Sequence, residues 1–486
     1  MAGRGRGRGA YYRAKYGGGG RQRGHDEYFP RDGENVSEKR SRTIRGNQEE
    51  LAYDEKLQGG GWSGAKGGQI QVDAPVCENI PHMVQQALLY TSHDATRLAQ
   101  HVHAVEDQAS LRHQLPDHEL VAFVPNGALL PRASGASDQP LRDCVPFVSP
   151  PGLQVTLHLP HRGPITGMGL RRGQVCACLG GGFHGKSTFL AALSLGCYNH
   201  VPGDGREFVC TTEQVASIRS EDGRSIQHVD ISPFITNLPD QSDTSVFSTS
   251  NASGSTSCAA SLMEALEAKA ELLVLDEDTV ASNFLVRDRA MQALVPNEPI
   301  TPLVARVRSL VDTMGVTLVL VCGSSSAFLP CADTVLQMDC YEMKDVTQKA
   351  QELCMTMSME QWPATSSPFG APMRRELQLP LPGGKMVTRH RTVIHVGDDA
   401  LELHAVPQLV HASQTRAIEA LLRRWAAASP RSVRLKALID SVSSEWDQKG
   451  MYYLQDKHLD GFLARPRKID IAMALNRMRH VSWRTI

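Results

Sequence analysis

The sequence predicts an α/β fold whose central sheet is largely parallel. Strand and helix patterns alternate over residues 153–343, and three short apolar runs lie at 175–179, 272–275 and 316–322. Continuous runs of this length, rich in branched side chains, are typical of strands covered on both faces of a sheet. A glycine-rich loop follows the first run directly, and a helix-forming stretch follows the loop. This order of strand, loop and helix predicts a phosphate site at the carboxyl edge of the sheet.

Composition and pattern divide the chain into four predicted parts. The first has almost no side chains that could build a core, and its Arg-Gly repeats and glycine runs are typical of disorder. In chain order the parts are a disordered Arg- and Gly-rich tail (1–65), a small α+β subdomain (66–154), the α/β core (155–400) and a basic helical domain (401–486).

Local patterns predict further elements in the flanking parts. Residues 81–111 have helical spacing, and a strand at 120–124 enters a Pro-Asn-Gly turn. Near the end of the chain, apolar residues at 409–425 follow one helical stripe, and a second helix is predicted at 469–479.

The charge is unevenly distributed along the 486 residues, although the net charge is only −1. Residues 1–25 carry seven basic side chains and no acidic ones, with Tyr11, Tyr12 and Tyr16 between them. Guanidinium groups and tyrosine rings stack on bases, and positive charge follows a phosphate backbone. The tail therefore fits contact with single-stranded RNA, while a short repeat of this kind also fits a solubilising tail.

The eleven cysteines show no metal-binding or disulfide pattern. Cys176 and Cys178 lie in an apolar run and are predicted to be strand residues, and the odd number favours free thiols in a reducing compartment. No run approaches the roughly 18 apolar residues of a membrane helix, so an intracellular soluble protein without a membrane partner is expected. The start of the chain is Arg-rich like a mitochondrial transit peptide, but its glycines oppose an amphipathic helix. Mitochondrial and cytoplasmic locations both stay open.

A phosphate-binding loop is the strongest motif. Its glycines let backbone N–H groups converge on the β-phosphate, Lys186 supplies positive charge to the β- and γ-oxygens, and the Ser187 hydroxyl ligates Mg²⁺. The predicted nucleotide-binding residues of this loop are Gly180, Gly181, Gly182, Phe183, His184, Gly185, Lys186, Ser187 and Thr188.

A second motif ends the apolar run at 272–275 with two acids, Asp276 and Glu277. The strand would deliver Asp276 to the sheet edge beside the phosphate loop, where it holds Mg²⁺, while Glu277 polarises the attacking water. Alone this pattern is weak, because any buried strand can end in acids. About ninety residues after a phosphate loop, it predicts a catalytic strand.

A third motif, Ser253, Gly254 and Ser255, begins the helix-forming stretch that leads into this strand. Small polar residues at a helix N-terminus can grip a phosphate through hydroxyl and N–H groups. The alternative is a helix cap after a Ser/Thr-rich loop. The spacing to the next strand favours phosphate contact.

With these motifs the chain resembles the predicted ATPases of the ABC class. The resemblance covers about residue 84 to the end and is carried by strings at 123–132, 180–188, 198–206, 221–224, 230–235, 251–256, 276–279, 283–284, 287–288, 298–301, 466–467 and 476–477. It implies an ABC-type fold that binds ATP or ADP and Mg²⁺ without a transmembrane partner. It also implies a homodimer in which the phosphate loop of one subunit faces the Ser253–Gly254–Ser255 loop of the other. Kinetoplastid members are linked to mitochondrial RNA processing, which favours RNA and a ribonucleoprotein complex as partners.

The chain departs from the ABC pattern in three places. Members begin with a further domain that the Arg-Gly tail replaces. No histidine follows the strand at 316–322, where ordinary ABC ATPases carry a switch histidine and this chain has Gly323 and Ser324. No glutamine fits the Q-loop, and residues 230–235 are the best place for that loop.

Several residues keep two interpretations. His184 contacts phosphate or only packs, and the Glu221, Asp222 and Arg224 cluster lines the site or forms a turn. Asp278, Ser282 and Asn283 are expected at the subunit interface, as in an ABC D-loop. Basic residues near the end of the chain would bind a phosphate backbone if they shared one face; they are Arg465, Arg467, Lys468, Arg477 and Arg479.

The predicted function is ATP hydrolysis by a soluble ABC-class dimer that acts on or with RNA. Asp276 and Ser187 would serve Mg²⁺, Lys186 the transferred phosphate, and Glu277 the attacking water as catalytic base. The missing histidine predicts slow turnover. A nucleotide-gated scaffold that hydrolyses little and binds no RNA is the alternative.

Overall fold

The computed structural model describes residues 74–135, 137–295, 297–357, 369–370, 374–454 and 460–485. The chain divides into two units, residues 1–84 and 85–486. Helix α1 (Ala74–Ala87) begins in the first unit, and everything that follows belongs to the second. The tail predicted to be disordered, residues 1–65, lies outside the described residues.

The α/β core is confirmed, and a six-stranded sheet lies at its centre. Its order is β12–β11–β4–β10–β9–β6, with five parallel strands and an antiparallel edge strand β12. The three apolar runs form its strands β4, β9 and β10. The six strands are β4 (Val175–Gly180), β6 (Val215–Ile218), β9 (Leu272–Asp276), β10 (Thr317–Cys322), β11 (Thr334–Asp339) and β12 (Glu342–Asp345).

Helices cover both faces of this sheet, which explains why its strands are apolar throughout. Leu273 and Leu275 of β9 face a core built with α4 and α7, whereas Leu272 and Val274 face a core built with α3. Cys176 and Cys178 are buried on β4, as expected for strand residues. The covering helices are α3 (Lys186–Leu195), α4 (Gly254–Glu267) and α7 (Leu303–Met314).

A four-stranded antiparallel sheet has the order β2–β3–β1–β5, and of these strands only β1 lies wholly within residues 66–154, the predicted α+β subdomain. The predicted helix at 81–111 is two helices, α1 and α2, separated by a 3-10 turn at Tyr90–Ser92. Strand β5 joins this sheet from beyond α3, so the sheet is not confined to residues 66–154. The elements are α2 (Ala95–Asp117), β1 (Leu120–Pro125), β2 (Gln154–Leu159), β3 (Gly163–Arg171) and β5 (Cys210–Thr211).

Short elements connect the strands of the core. Strands β7 and β8 form a two-stranded sheet that leads into α4. They are β7 (Arg224–Val229), β8 (Phe247–Ala252), α5 (Ser282–Leu285), α6 (Arg289–Leu294) and α8 (Thr347–Thr356).

The C-terminal region is mainly helical, as predicted, but contains two small sheets. Strand β13 pairs with β17 and β18, so this region draws on residues before 401. The elements are β13 (Arg375–Leu379), β14 (Met386–His390), β15 (Val393–Val396), β16 (Asp399–Glu402), α9 (Ala412–Ala426), β17 (Arg431–Arg434), α10 (Leu435–Lys449), α11 (Lys468–Arg477) and β18 (Trp483–Thr485). None of the helices in the described ranges combines the length and apolarity needed to cross a membrane.

Candidate nucleotide site

The phosphate loop joins β4 to α3 at the carboxyl edge of the central sheet. Gly180 has φ +151°, and a Cβ at this position would lie 2.4 Å from the Met338 carbonyl oxygen, so only glycine fits. Lys186 Nζ donates hydrogen bonds to the carbonyl oxygens of Gly180 and Gly181 at 2.8 Å each. The ammonium group therefore lies over the loop, and Ser187, the second residue of α3, is exposed.

Phe183 and His184 occupy the tip of the loop. Phe183 has φ +66° and a fully exposed side chain. The His184 ring faces the β11–β12 turn instead, because its Nδ1 accepts a hydrogen bond from the Cys340 N–H at 3.1 Å. Of the two interpretations of His184, packing is the one these contacts favour.

Asp276 and Glu277 lie at the end of β9, two strands from β4 in the sheet. Among the described residues, the Asp276 carboxylate accepts one hydrogen bond, from the Asp278 N–H to Oδ1 at 3.2 Å, which leaves lone pairs available for a cation. A Cβ on Gly323 would lie 3.8 Å from both Lys186 Nζ and Glu277 Oε2. The lysine and the glutamate, 91 positions apart in the sequence, thus approach the same point above β10.

The loop after β10, where an ordinary ABC ATPase would have its switch histidine, binds the Glu277 carboxylate. Oε2 of Glu277 accepts hydrogen bonds from the N–H groups of Gly323 at 2.5 Å and Ser324 at 3.0 Å, and the Ser324 hydroxyl donates to Oε1. Burial opposes ionisation of this carboxyl, but the hydrogen bonds outweigh it and hold the pKa of Glu277 below its usual range. Glu277 is therefore a fixed carboxylate at neutral pH.

The Ser253, Gly254 and Ser255 loop caps α4. The Ser253 hydroxyl accepts a hydrogen bond from the Thr256 N–H at 3.5 Å, and a Cβ on Gly254 would lie 2.4 Å from Ser220 Oγ. Ser255 is buried, and its hydroxyl donates to the Asn283 side chain, so this hydroxyl is engaged within the subunit. The cap interpretation thus holds for Ser253, and the exposed end of the loop consists of Ser253 and Gly254.

The structure shows where residues 230–235, the expected Q-loop, lie relative to the central sheet. Residues 230–235 contribute to the core, where Phe234 is fully buried and packs against Phe284 with ring centroids 5.2 Å apart. The chain leaves the sheet beside Asp276 at Arg219 instead, because β6 pairs in parallel with β9 and the register runs from Val215–Leu272 to Ile218–Leu275.

Arg219 is a site residue that sequence reasoning missed. Its side chain is half-buried next to the Asp276 charge and forms no hydrogen bond or ion pair with any described residue. Burial lowers the pKa of Arg219, and the Asp276 charge opposes this shift. An arginine whose donors have no partner among the described residues, beside a carboxylate predicted to hold Mg²⁺, suits a phosphate oxygen. Arg219 can be recognised as a site residue only once β6 is known to lie beside β9 in the sheet. The sequence alone does not give the order of strands in a sheet.

The Glu221, Asp222 and Arg224 cluster is a turn with ion pairs beneath it. Asp222 and Gly223 form the turn, while Arg224 is buried against Glu264 and Ser261. Glu221 accepts hydrogen bonds from Arg477 at 2.5 and 2.9 Å. The turn interpretation is therefore confirmed for Asp222 and Gly223.

The basic residues near the end of the chain do not form a free basic face, which corrects that expectation. Arg465 pairs with Asp447 and Lys468 with Asp440, at 2.6 and 2.8 Å. Arg479 donates to two backbone carbonyls. The two most buried of these residues, Arg467 and Arg477, pair with Asp470 and Glu221.

Two family models match the chain. One, described as the P-loop domain of ABC_ATPase, matches residues 94–375, which is more than half of the chain. The other, described as the MRB1590 C-terminal domain, matches residues 385–484.

Individual proteins are similar over parts of the chain. The uncharacterized protein MJ1628 of Methanocaldococcus jannaschii is 30% identical over 190 residues, which are 37% of this chain and 42% of that protein. The chain thus matches less than half of the length of this relative. Two solved structures are also similar. The structure of cbiO1 from Clostridium perfringens, part of the ABC transporter complex cbiONQ, has 13% sequence identity and a TM-score of 0.28, and the match covers 43% of this chain and 95% of that chain. The ADP conformation of MJ1267, an ATP-binding cassette of an ABC transporter, has 11% identity and a TM-score of 0.27, and the match covers 40% of this chain and 88% of that chain.

Proposed function

The chain belongs to the ABC ATPase family, and from this premise we propose that it hydrolyses ATP slowly, as a dimer that works with RNA. The convergence of Lys186 and Glu277 above β10 carries the proposal. A cation for the γ-phosphate and a fixed carboxylate for the attacking water are the two groups that phosphoryl transfer to water requires.

Each residue of the site has a role in this reaction. The N–H groups of the loop and Lys186 bind the β- and γ-phosphate oxygens. The Ser187 hydroxyl and the Asp276 carboxylate are oxygen donors of the kind Mg²⁺ prefers and would hold it. When bound, Mg²⁺ supplies charge neutralisation for the developing phosphate charge. Glu277 orients the attacking water and accepts its proton.

Lys186 and the bound Mg²⁺ would be two positive groups of the site. Arg219 would add a third, on the side of Asp276. Its donors have no other partner among the described residues, so a γ-phosphate oxygen is the acceptor they fit best. Asp276 and Arg219 would together distinguish the triphosphate from the diphosphate.

The dimer is proposed from the Ser253–Gly254 end of α4. This helix has 14 residues, so its N-terminus carries positive dipole charge, and Ser253 is exposed at that end. The phosphate bound there would be the γ-phosphate held by the phosphate loop of a second copy of this chain. Two composite sites would then close and open with ATP binding and hydrolysis.

RNA is proposed as the partner on the strength of the Arg-, Gly- and Tyr-rich tail, which lies outside the described residues. The C-terminal arginines no longer support it, because they pair with carboxylates and carbonyl oxygens. We expect deletion of residues 1–60 to weaken binding of single-stranded RNA strongly and to flatten the salt dependence of the binding that remains. Fluorescence anisotropy over a salt series measures both, and full binding by the truncated chain would place the RNA site elsewhere.

A nucleotide-gated scaffold is the second candidate. The observation that favours it is the hydrogen-bonded clamp on Glu277, since a carboxyl of low pKa is a weak base. Such a protein would bind ATP and dimerise but turn over little.

ATP hydrolysis measured with and without single-stranded RNA tests the proposal. Wild-type protein should release phosphate, and Lys186→Ala and Glu277→Gln should reduce the rate at least about 100-fold, in the range seen when a catalytic group is removed. ATP binding without turnover and without any effect of RNA would favour the scaffold.

A further inference from the structure

The order of strands in the central sheet gives a bound nucleotide a direction. Asp276 and Glu277 lie on the β9 and β10 side of β4, so the γ-phosphate end points that way. Strand β11 flanks β4 on the opposite side. The α-phosphate and the nucleoside must therefore extend toward the β11–β12 turn, past Thr188.

The β11–β12 turn has an unusual composition for its backbone. Its two central residues, Cys340 and Tyr341, have φ +50° and +70°. A two-residue hairpin turn with positive φ at both positions strongly favours Asn and Gly, and bulky side chains there are strained. Strain of this kind persists where the surrounding structure fixes it and is concentrated at ligand sites.

Contacts with the phosphate loop fix this turn. The Tyr341 N–H donates to the His184 carbonyl oxygen at 3.1 Å. The Tyr341 ring lies against Gly185 so closely that a Cβ on the glycine would be 2.7 Å from Cδ1. The phosphate loop and the Tyr341 ring are thus fixed relative to each other.

One part of the Tyr341 side chain stays open to solvent. The residue is 37% exposed. With Thr188, Val145 and Phe147 it borders a cavity of only about 10 Å³, too small to enclose a base. A planar ligand would therefore lie on the rim, against the exposed part of the ring.

We propose that Tyr341 is the stacking platform for the nucleobase of the bound nucleotide. The inference rests on the proposed function, since it assumes that the phosphate loop holds a nucleoside triphosphate. Base–aromatic stacking is a strong and sequence-tolerant contact, and tyrosine supplies it with a rigid ring. The strained turn is then what carries the ring to the nucleoside end of the site.

Titration calorimetry with two ligands tests this assignment. ATP and inorganic tripolyphosphate share the phosphate chain, and only ATP has a base. Tyr341→Ala should raise the Kd of ATP roughly 10-fold and leave that of tripolyphosphate unchanged, because only stacking is lost. Tyr341→Phe keeps the ring and should bind both ligands as wild type does. Cys340→Ala alters the same turn without touching the ring and serves as the matched control.

Three outcomes would overturn the proposal. Wild-type affinity for ATP in Tyr341→Ala would show that the ring is not used. Equal losses for ATP and tripolyphosphate would show that the turn acts through the shape of the phosphate loop. If wild-type protein binds neither ATP nor tripolyphosphate, the proposed function fails together with the role of Tyr341. In the first two outcomes the wild-type protein still binds ATP, so only the role of Tyr341 fails.

Discussion

Glu277 is positioned by backbone N–H groups and a serine where related ATPases use a histidine. Three donors from Gly323 and Ser324 fix both carboxylate oxygens. This clamp keeps Glu277 ionised and oriented, but it also weakens its affinity for a proton. The slow turnover that we propose is therefore attributed to the contacts of a single residue.

Arg219 offers a direct test of γ-phosphate recognition. Arg219→Ala should weaken binding of Mg-ATP about 10-fold, because a charge-assisted hydrogen bond is lost, and should change ADP affinity little. Fluorescence titration with both nucleotides measures the difference. Arg389→Ala, which removes an exposed arginine of β14, is the control for loss of charge. Equal losses for ATP and ADP would contradict the assignment.

Asp204 gives the fold a pH dependence. Burial raises its pKa, but hydrogen bonds from His200 and Arg132 outweigh this and hold the pKa at about 2. Because the folded-state pKa lies below the unfolded one, the stabilisation is complete above about pH 4 and is lost as the pH falls toward 2. Asp204→Asn should therefore cost about 2 kcal/mol at pH 7 and clearly less at pH 3. Urea unfolding at the two pH values measures this, and an equal cost at both would show that the charge is not responsible.

At the scale of elements, helix α11 is joined to the loop after β6 by a buried ion pair. Arg477 is 4% and Glu221 16% exposed at the side chain. Arg477→Met would leave Glu221 charged and should destabilise the protein by about 3 kcal/mol. Adding Glu221→Gln should recover part of this loss, which urea unfolding of the single and double variants would measure.

The same variants decide between two roles for the C-terminal arginines. If Arg477 serves packing, the double variant should bind RNA as the wild type does. Wild-type stability together with weaker RNA binding in Arg477→Met would instead support the basic RNA face that the sequence suggested.

The elements that the sequence predicted well are those whose pattern is local. β4, β9 and β10 are continuous apolar runs, and the glycines of the phosphate loop mark the turn into α3. Helix α10, with polar residues on much of its surface, and strand β13, which pairs with residues more than fifty positions away, had no comparable pattern. Their existence depends on tertiary packing.

The residues of the candidate site also divide into those with a local sequence pattern and those without one. Lys186, Ser187, Asp276 and Glu277 could be predicted because each follows a recognisable strand. Arg219, Ser324 and Tyr341 could not, because their neighbours come from strands that are adjacent only in the folded sheet.

At the scale of the whole molecule, buried arginines join the C-terminal region to the ATPase core. Arg375 bonds to Glu267 of α4 and to Asn476 of α11, and Arg467 donates to the Val215 carbonyl of β6. Helix α4 begins at the Ser253–Gly254 loop, and β6 ends at Arg219. The two positions that we propose to face the nucleotide are therefore connected to the C-terminal helices through α4 and β6.

The composite dimeric site that we propose can be tested by mixing two variants that are each expected to be inactive. Lys186→Ala removes the phosphate-binding charge. Ser253→Asp keeps a good helix cap but places a negative charge against the partner's γ-phosphate. Each variant alone should hydrolyse little ATP, and their mixture should regain activity, because a mixed dimer pairs one intact phosphate loop with one intact Ser253 loop. A mixture as inactive as its components, or full activity of Ser253→Asp alone, would show that the Ser253 loop does not complete the site of a partner subunit.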